Sequence, residues 1–316
     1  MGAAVIVALA SVPLIAGLLH ESFYVTLVSR MMIFALAALG LNFILGYGAM
    51  VSFGHALYIG IGVYSVGILS FYGIGNGWIH LAAALGVGAL AAVLIGYVCL
   101  RVSGVGFIMI TLAFAQMFYF LAISLRTYGG DEGLSIAGRS DFGIVDLNNN
   151  VVLYYVIYGL LMLTLFVFHR IVHSRFGMVL RGSKSNERRM LAMGFPTLKF
   201  KLAAYVMSAL VCVLAGVMLA NLTKFTSPSY MTWMVSGDLI VMAVLGGVGT
   251  LMGPIVGALA WLSLEELFSS FHVGLPDVIE EFVRSHWLLL VGSFVVVVTL
   301  VLKEGLYGWL AAREEK

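Results

Sequence analysis

The residues that could carry chemistry are few, and most lie within long apolar stretches. Asp238 stands in the run MVSGDLIVMAVLGG, and Asn42 stands in LGLNFILG. A carboxylate at the centre of a membrane-spanning helix costs about 3 kcal/mol on insertion scales, so such residues often mark substrate or ion pathways. Asp238 and Asn42 are therefore pathway candidates. The alternatives are an acid at the membrane interface for Asp238 and an amide that bridges two helices for Asn42.

A glycine-rich stretch at 46–55 interrupts the apolar sequence and reads GYGAMVSFGH. Its glycines and polar residues are Gly46, Gly48, Gly54, Ser52 and His55. Non-helical backbone is tolerated at membrane depth only where it is buried in protein or lines a wet cavity. The stretch is therefore either a turn between two spans or a broken helix beside a pathway. The second interpretation makes Ser52 and His55 pathway candidates, whereas a satisfied buried histidine is the alternative for His55.

A second glycine-rich stretch at 245–257 reads LGGVGTLMGPIVG and resembles 45–60 at an offset of about 200 residues. Its candidate hinge glycines are Gly246, Gly247, Gly249 and Gly253. Internal repeats in transporters place substrate sites at the repeat interface, often at broken helices. The likeness indicates either an internal repeat or a chance similarity of glycine-rich sequence, and the relative orientation of the two copies stays open.

The elements that position these residues are membrane helices. The chain has 316 residues, of which 62% are hydrophobic and 10% charged, with a mean hydropathy of +1.07. Soluble domains carry about 25% charge, so this composition excludes a soluble enzyme, a disordered chain and a nucleic-acid-binding protein. Ten apolar segments follow from hydropathy: 3–19, 24–45, 51–71, 78–100, 104–125, 151–171, 199–221, 235–252, 254–270 and 286–302. We expect one all-α polytopic domain over 1–316, with about ten transmembrane or half-membrane helices.

Charge is concentrated in one stretch. Residues 170–201 hold eight of the 17 basic residues against one acid, Glu187. The positive-inside rule places this stretch in the cytoplasm, and an even number of spans then places both termini there too. Within it, 173–198 is either a solvated basic loop, with anionic lipid as its partner, or an element that docks onto another protein.

Local signals in this loop favour docking. Phe176, Val179 and Leu180 give a short apolar helical face. Ser185 can cap a helix of about eight residues over 186–193. Gly194 can end that helix in the left-handed conformation, followed by Pro196. Because so short a helix is unstable alone in water, we expect it to dock.

The chain carries no phosphate-binding G-x-x-x-x-G-K-[ST] motif, and no residues are arranged as a nucleophile–base pair or a metal site. We expect no enzyme activity and no cofactor in this chain. If ATP drives it, another subunit must bind the nucleotide.

Four stretches together resemble the permeases of branched-chain amino-acid ABC importers of the LivM type. They read LGLNFILGYGAMVSFGHALYIGIGVYSVGIL at 39–69, YGGDEGL at 128–134, SRFGMVLRGSKSNERRMLAMGFPTLKFKLAAYVMSALVCVLAGVM at 174–218 and SGDLIVMAVLGGVGTLMGPIVGAL at 236–259. The resemblance implies the all-helical type II importer fold and a multi-pass location in the bacterial inner membrane. The expected substrates are branched-chain or related amino acids.

The resemblance also implies partners: a second homologous permease subunit, two cytoplasmic ATPase subunits that bind ATP and Mg, and a periplasmic solute-binding protein. The basic loop would be the coupling region that docks into the ATPases. Its expected coupling residues are Arg181, Asn186, Glu187, Arg188, Arg189, Met190 and Gly194.

Departures from the family pattern leave the substrate open. Asp131 and Glu132 stand where Thr and Asp or Asn are common, and Ala49 stands where glutamine is common. Arg189 and Met190 replace the usual alanines. Urea, amides and aromatic or other organic acids are alternative substrates. A secondary transporter that uses Asp238 as a proton or cation site is a different class, and a channel or structural membrane subunit is a third.

Overall fold

The computed structural model describes residues 2–19, 22–143, 146–269, 287–301 and 305–308, which form a helical bundle. The helices are α1 (Gly2–Leu19), α2 (Ser22–Gly48), α3 (His55–Phe71), α4 (Gly77–Cys99), α5 (Val105–Ser124), α6 (Asn150–Val172), α7 (Arg175–Ser185), α8 (Glu187–Ala192), α9 (Thr197–Thr223), α10 (Trp233–Gly246), α11 (Gly253–Ser269) and α12 (Trp287–Val301). Short 3-10 turns cover Arg126–Tyr128 and Pro228–Met231. Strand β1 (Leu134–Ser135) pairs antiparallel with β2 (Phe225–Thr226).

Each of the ten predicted apolar segments coincides with a helix, which confirms the all-α membrane fold. Among the described residues, five helices are long and apolar enough to cross a membrane: α2, α4, α5, α6 and α9. The prediction is least accurate at the glycine-rich stretches. Helix α3 begins at His55 rather than 51, and α10 ends at Gly246 rather than 252. The C-terminal tail beyond 308 lies outside the described residues.

Helix α9 is the centre of the bundle, packed against α2, α3 and α4. Its contact with α3 is a backbone approach at Gly62 and Gly216. A methyl group on Gly62 would lie 2.2 Å from the carbonyl oxygen of Val213, and one on Gly216 would lie 2.1 Å from that of Ile59. Small residues allow such close packing between membrane helices. Helices α2 and α9 are therefore mostly buried, whereas α4, α5 and α6 leave most of their surface exposed.

The chain from β2 to α10 runs back along α3. Thr226 packs on Gly67 and Met231 packs on Gly60. Further along, the hydroxyl of Ser236 accepts a 3.0 Å hydrogen bond from the backbone N–H of Ala56. Helix α10 therefore begins part of the way through the bundle and, with 14 residues, is about 21 Å long. At that length it is shorter than the hydrocarbon core of a bilayer, which is about 30 Å thick.

Helices α7 and α8 lie at one end of the bundle, which we call the basic end. The predicted cap of α8 is wrong by one residue. Ser185 is the last residue of α7, and Asn186 is the cap, since its side chain accepts a 3.0 Å hydrogen bond from the N–H of Arg189. Asparagine and serine cap helices about equally well, so propensity does not separate them. Gly194 has φ +87°, which confirms the predicted left-handed ending.

Candidate functional site

The two glycine-rich stretches meet in the folded chain. The Nδ2 of Asn42 donates a 2.7 Å hydrogen bond to the carbonyl of Thr250, and its Oδ1 accepts a 3.1 Å bond from the N–H of Gly249. Beside it, a methyl group on Gly46 would lie only 2.5 Å from the Cα and N of Gly249. Asn42 is fully buried and bridges α2 to the connection between α10 and α11. The sequence left two roles open for Asn42, a pathway residue or an amide that bridges two helices. The hydrogen bonds of Asn42 are those of a bridging amide.

The basic end is bonded directly to this junction. The Nζ of Lys184, on α7, donates a 2.7 Å hydrogen bond to the carbonyl oxygen of Gly46. A chain of contacts therefore runs from α7 through Gly46 to Gly249 and Thr250. We call Asn42, Gly46, Lys184, Gly249 and Thr250 the junction.

The first break is an irregular segment, 49–54, between α2 and α3. Ala49 follows the last helical residue, Gly48, with φ +54°. The left-handed conformation costs a non-glycine residue about 1 kcal/mol, so this turn is strained. Gly54 immediately precedes α3 as its N-terminal cap residue.

Ser52 and His55 belong to a buried hydrogen-bond network and are fully shielded from solvent. The His55 ring bonds through Nδ1 to the Ser52 hydroxyl and through Nε2 to the Ser208 hydroxyl, both at 2.9 Å. The Ser208 hydroxyl in turn donates to the carbonyl of Gly40 at 2.6 Å. Both nitrogens of His55 are thus satisfied within the protein, as in the alternative that the sequence left open. The network ties the start of α3 to α2 and α9.

The second break joins α10 to α11 over residues 247–252. Gly247 and Gly249 have φ of +120° and +81°, conformations that favour glycine. Gly246 ends α10 and Gly253 begins α11, with their backbones packed together: a methyl group on Gly246 would lie 1.8 Å from the carbonyl oxygen of Gly253. All four predicted hinge glycines therefore lie at the turn itself, where the backbone requires them.

Asp238 lies apart from the junction in a separate group of charges on α2, α10 and α11. Its half-buried carboxylate is close enough to Glu265 for the two groups to interact electrostatically. Glu265 in turn faces the guanidinium of Arg30 at 3.7 Å. Two acids and one base from three helices can hold a small charged or zwitterionic group. No described contact joins Asp238 to Ser52 or His55.

The predicted coupling residues divide into those that hold α7 and α8 in place and those that face outward. Arg181 donates to the carbonyl of Val172, at the end of α6, at 3.1 Å. Met190 is buried against Gly182 of α7. The carboxylate of Glu187 forms a 2.8 Å ion pair with Lys201 and accepts a 3.0 Å bond from the Thr197 hydroxyl.

The environment of Glu187 changes its acidity. Burial by itself raises the pKa of Glu187, but the hydrogen bond and charge of Lys201 and the hydrogen bond from Thr197 outweigh it, so the pKa is lowered overall. The carboxylate is therefore ionised at neutral pH and keeps α8 attached to α9.

The outward-facing residues form a mixed patch on and just after α8, which we call the α8 patch. Its members are exposed and are both basic and apolar: Arg188, Arg189, Leu191, Met193 and Phe195. Exposed apolar residues grouped in this way mark interaction surfaces. The sequence identified the arginines, but it did not separate the exposed apolar residues from buried Met190.

Sequence reasoning missed Lys184, Ser208 and Thr250. Lys184 was one base among eight, and nothing in its spacing indicates a bond to Gly46. Ser208 and Thr250 lie in apolar or glycine-rich sequence without a motif. Their partners are 138 or more residues away, and only the fold brings them together.

The chain is similar in sequence to known transport permeases. The sequence model of the family described as "Branched-chain amino acid transport system / permease component" matches residues 23–301. The chain is 28% identical to the high-affinity branched-chain amino acid transport system permease protein LivM of Salmonella typhimurium, over 78% of this chain and 64% of the relative. It is 27% identical to LivM of Escherichia coli K12, over 76% of this chain and 62% of that relative.

A third relative, the permease protein LivH of the same transport system in Escherichia coli K12, is 26% identical over 76% of this chain and 82% of its own length. The chain spans less than two thirds of the two LivM proteins. No solved structure matches the chain at a significant level.

Proposed function

Because the chain belongs to the family of permease components of branched-chain amino acid transport systems, we propose that it is a membrane subunit of an ATP-driven importer for branched-chain or related amino acids. The relatives named LivM and LivH are permease proteins of such a system. We place the chain in the bacterial inner membrane with both termini in the cytoplasm, from the basic stretch and the even number of spans.

The observation that carries the proposal is the bond from Lys184 to Gly46. A helix at the basic end is thereby connected to the place where both broken segments meet. A movement imposed on α7 and α8 from the cytoplasm would act first on Gly46 and then on the turn that contains Gly249. In alternating access, such a movement opens and closes the path at the broken helices.

Four partners follow from this proposal. A second, homologous permease subunit completes the pathway, as the existence of LivM and LivH in one transport system suggests. Two ATPase subunits bind ATP and Mg and dock on the α8 patch, whose arginines and apolar side chains suit an interface. A periplasmic solute-binding protein delivers the substrate and sets much of the selectivity.

The proposed pathway residues act in two ways. Asn42, Ser52 and His55 hold the broken segments in one state through buried hydrogen bonds, and these bonds must rearrange when the path opens. Asp238, with Glu265 and Arg30, offers charges of both signs to a zwitterion such as an amino acid. Urea and simple amides lack these charges, so this group favours the amino-acid assignment among the candidate substrates.

The test is uptake by the full chain reconstituted in liposomes with its second permease subunit, its ATPases and its binding protein. We expect leucine, isoleucine or valine to accumulate only with ATP inside, and not when the ATPases carry an inactive nucleotide site. Accumulation driven by an ion gradient without ATPases would overturn the proposal in favour of a secondary transporter. Substrate flow without ATP or a gradient would favour a channel.

The docking surface can be tested separately by crosslinking. Cysteines placed at Arg188 or Leu191 should crosslink to the ATPase, whereas one at Met178, exposed on α7 outside the α8 patch, serves as the control. Crosslinking that fails at every position of 186–195, in a complex that still transports, would refute the docking assignment.

A further inference from the structure

A cavity of about 340 Å³ opens at the basic end, beside the first break. Its walls come from the turn at 48–51, the connection at 100–104 between α4 and α5, and the facing ends of α7, α8 and α9. None of the coupling contacts described above requires this space.

Three basic side chains from separate elements line the cavity: Arg101, Lys184 and Lys201. Glu187 is the one acid among the lining residues, so the formal charge is three minus one, or +2. The charge of Lys201 is neutralised by its ion pair with Glu187. Lys184 donates one of its three N–H groups to the carbonyl of Gly46. Arg101 stacks 4.4 Å from the ring centroid of Tyr97 and donates to its hydroxyl, which leaves most of its donors free. Within the described part of the chain, the cavity therefore has two positive charges without an acidic partner, on Arg101 and Lys184, and several N–H donors that are free to bind a ligand.

The surface next to the cavity is apolar and exposed. Four apolar side chains are each at least two-fifths exposed: Val98 near the end of α4, Val102 in the connection that follows, and Val105 and Met109 at the start of α5. Helices α4 and α5 are the least buried of the long helices, as expected of helices that face lipid. A ligand that fits both features has an anionic head and apolar chains.

We propose that this cavity is a binding site for an anionic phospholipid of the leaflet at the basic end. The headgroup phosphate enters the cavity between Arg101 and Lys184, and the acyl chains lie along Val98, Val102, Val105 and Met109. Arginine binds phosphate through paired N–H donors, and basic pockets between membrane helices on the cytoplasmic side recognise such headgroups. The bound phosphate lies beside Lys184 and hence beside the junction.

The experiment measures lipid retention by the full chain, purified in a neutral detergent, with native mass spectrometry. Phosphatidylglycerol and phosphatidylcholine with the same acyl chains are titrated in turn, and inorganic phosphate is then added as a competitor. We expect phosphatidylglycerol to bind more tightly than phosphatidylcholine, and millimolar phosphate not to displace it.

Variants test the assignment to this cavity. Arg101→Gln should weaken phosphatidylglycerol binding about fivefold, the contribution of one basic residue near an anionic headgroup. Arg175→Gln, which removes an exposed arginine outside the cavity, should leave binding unchanged. Glu187→Gln removes the cavity's acid and should strengthen binding by a few-fold, a gain that misfolding cannot produce.

Three results would overturn the proposal. Equal binding of the two lipids would show that the headgroup charge is not recognised. Equal losses in Arg101→Gln and Arg175→Gln would show a diffuse attraction to the basic end. Displacement of phosphatidylglycerol by millimolar inorganic phosphate would show that the cavity takes a free anion instead.

Discussion

Lys184 and Gly46 are 138 residues apart in the sequence, yet the Nζ of Lys184 donates a 2.7 Å hydrogen bond to the Gly46 carbonyl. In an uninterrupted helix that carbonyl would accept from the N–H of Met50. Because α2 ends at Gly48, the Met50 N–H instead bonds to Ile44. The Gly46 carbonyl is thus one of those left without a helical partner at a C-terminus, where a cation is also favoured by the helix dipole. The end of α2 leaves the acceptor without a helical partner, and Lys184 on α7 supplies the donor.

Replacing Lys184 with methionine should weaken this connection. Lys184→Met keeps an unbranched apolar side chain but leaves the Gly46 carbonyl without its charged donor. Loss of a hydrogen bond to a charged group costs about 2 kcal/mol. We expect a lower thermal midpoint in detergent and, in the reconstituted importer, fewer substrate molecules transported per ATP hydrolysed.

Lys199→Met is the matched control, because Lys199 is exposed at the same end of the bundle. It should change neither the midpoint nor the transport ratio. Equal behaviour of the two variants would show that the Lys184 bond is not used in coupling.

The contact between Gly46 and Gly249 predicts intolerance of even one methyl group. In Gly46→Ala the new carbon would lie 2.5 Å from backbone atoms of Gly249, which cannot rotate away. We expect a loss of more than about 2 kcal/mol, as for overpacked cores, measured as thermal stability by fluorescence-detected size-exclusion chromatography.

Gly86→Ala on α4 provides the comparison, since a methyl group there meets nothing within 4 Å. Alanine is the better helix former by up to about 1 kcal/mol, so this variant should be unchanged or more stable. Similar losses in both variants would mean that the two breaks do not pack as described.

Most of the helix boundaries follow from hydropathy, because a membrane-spanning helix needs about 20 consecutive residues that are mostly apolar. The same signal fails at 51–54 and 247–252, where apolar residues such as Val51 and Leu251 lie in turns. Glycine and the left-handed conformation decide the backbone there, and hydropathy carries no information about either.

The candidate site was only partly predictable for a related reason. Residue type and position made Asn42 and His55 candidate pathway residues, and in the structure both make buried hydrogen bonds. Their partners Thr250 and Ser208 are 208 and 153 residues away. A single sequence contains no signal for such pairings, which arise from helix packing around α9.

Acidification should loosen α8 through Glu187. Its pKa is lowered in the folded protein, so its contribution to stability is complete above the ordinary value of about 4.5 and is lost as the pH falls through the lower folded value. Because the side chain of Glu187 is 42% exposed, we expect its ionised form to stabilise α8 by no more than about 1 kcal/mol. Hydrogen exchange of the α8 backbone amides, followed as the pH is lowered, measures this loss of stability.

Glu187→Gln supplies the reference at each pH. Wild-type α8 should be better protected than the variant at pH 7, and the two should become equal below the folded pKa of Glu187. A difference that persists after the Glu187 carboxylate has been protonated would assign the protection to something other than the ionised carboxylate.

Arg139 should be required for order in the connection between α5 and α6. Its guanidinium donates to the carbonyls of Asn221 at 2.9 Å, Leu147 at 2.6 Å and Asn148 at 3.0 Å, and to the Oδ1 of Asn150 at 2.7 Å. A lysine keeps the charge but cannot reach these acceptors in the same planar arrangement. We expect Arg139→Lys to destabilise the connection locally by about 2 kcal/mol.

Limited proteolysis of the detergent-solubilised chain measures this change, because cleavage reports local opening. A cost of about 2 kcal/mol corresponds to a roughly thirtyfold faster cleavage within 126–149. Arg126→Lys, at an exposed arginine of the same connection, should leave the rate unchanged. If Arg139→Lys were cleaved no faster than Arg126→Lys, the positive charge alone, rather than the planar set of donors, would be holding the connection in place.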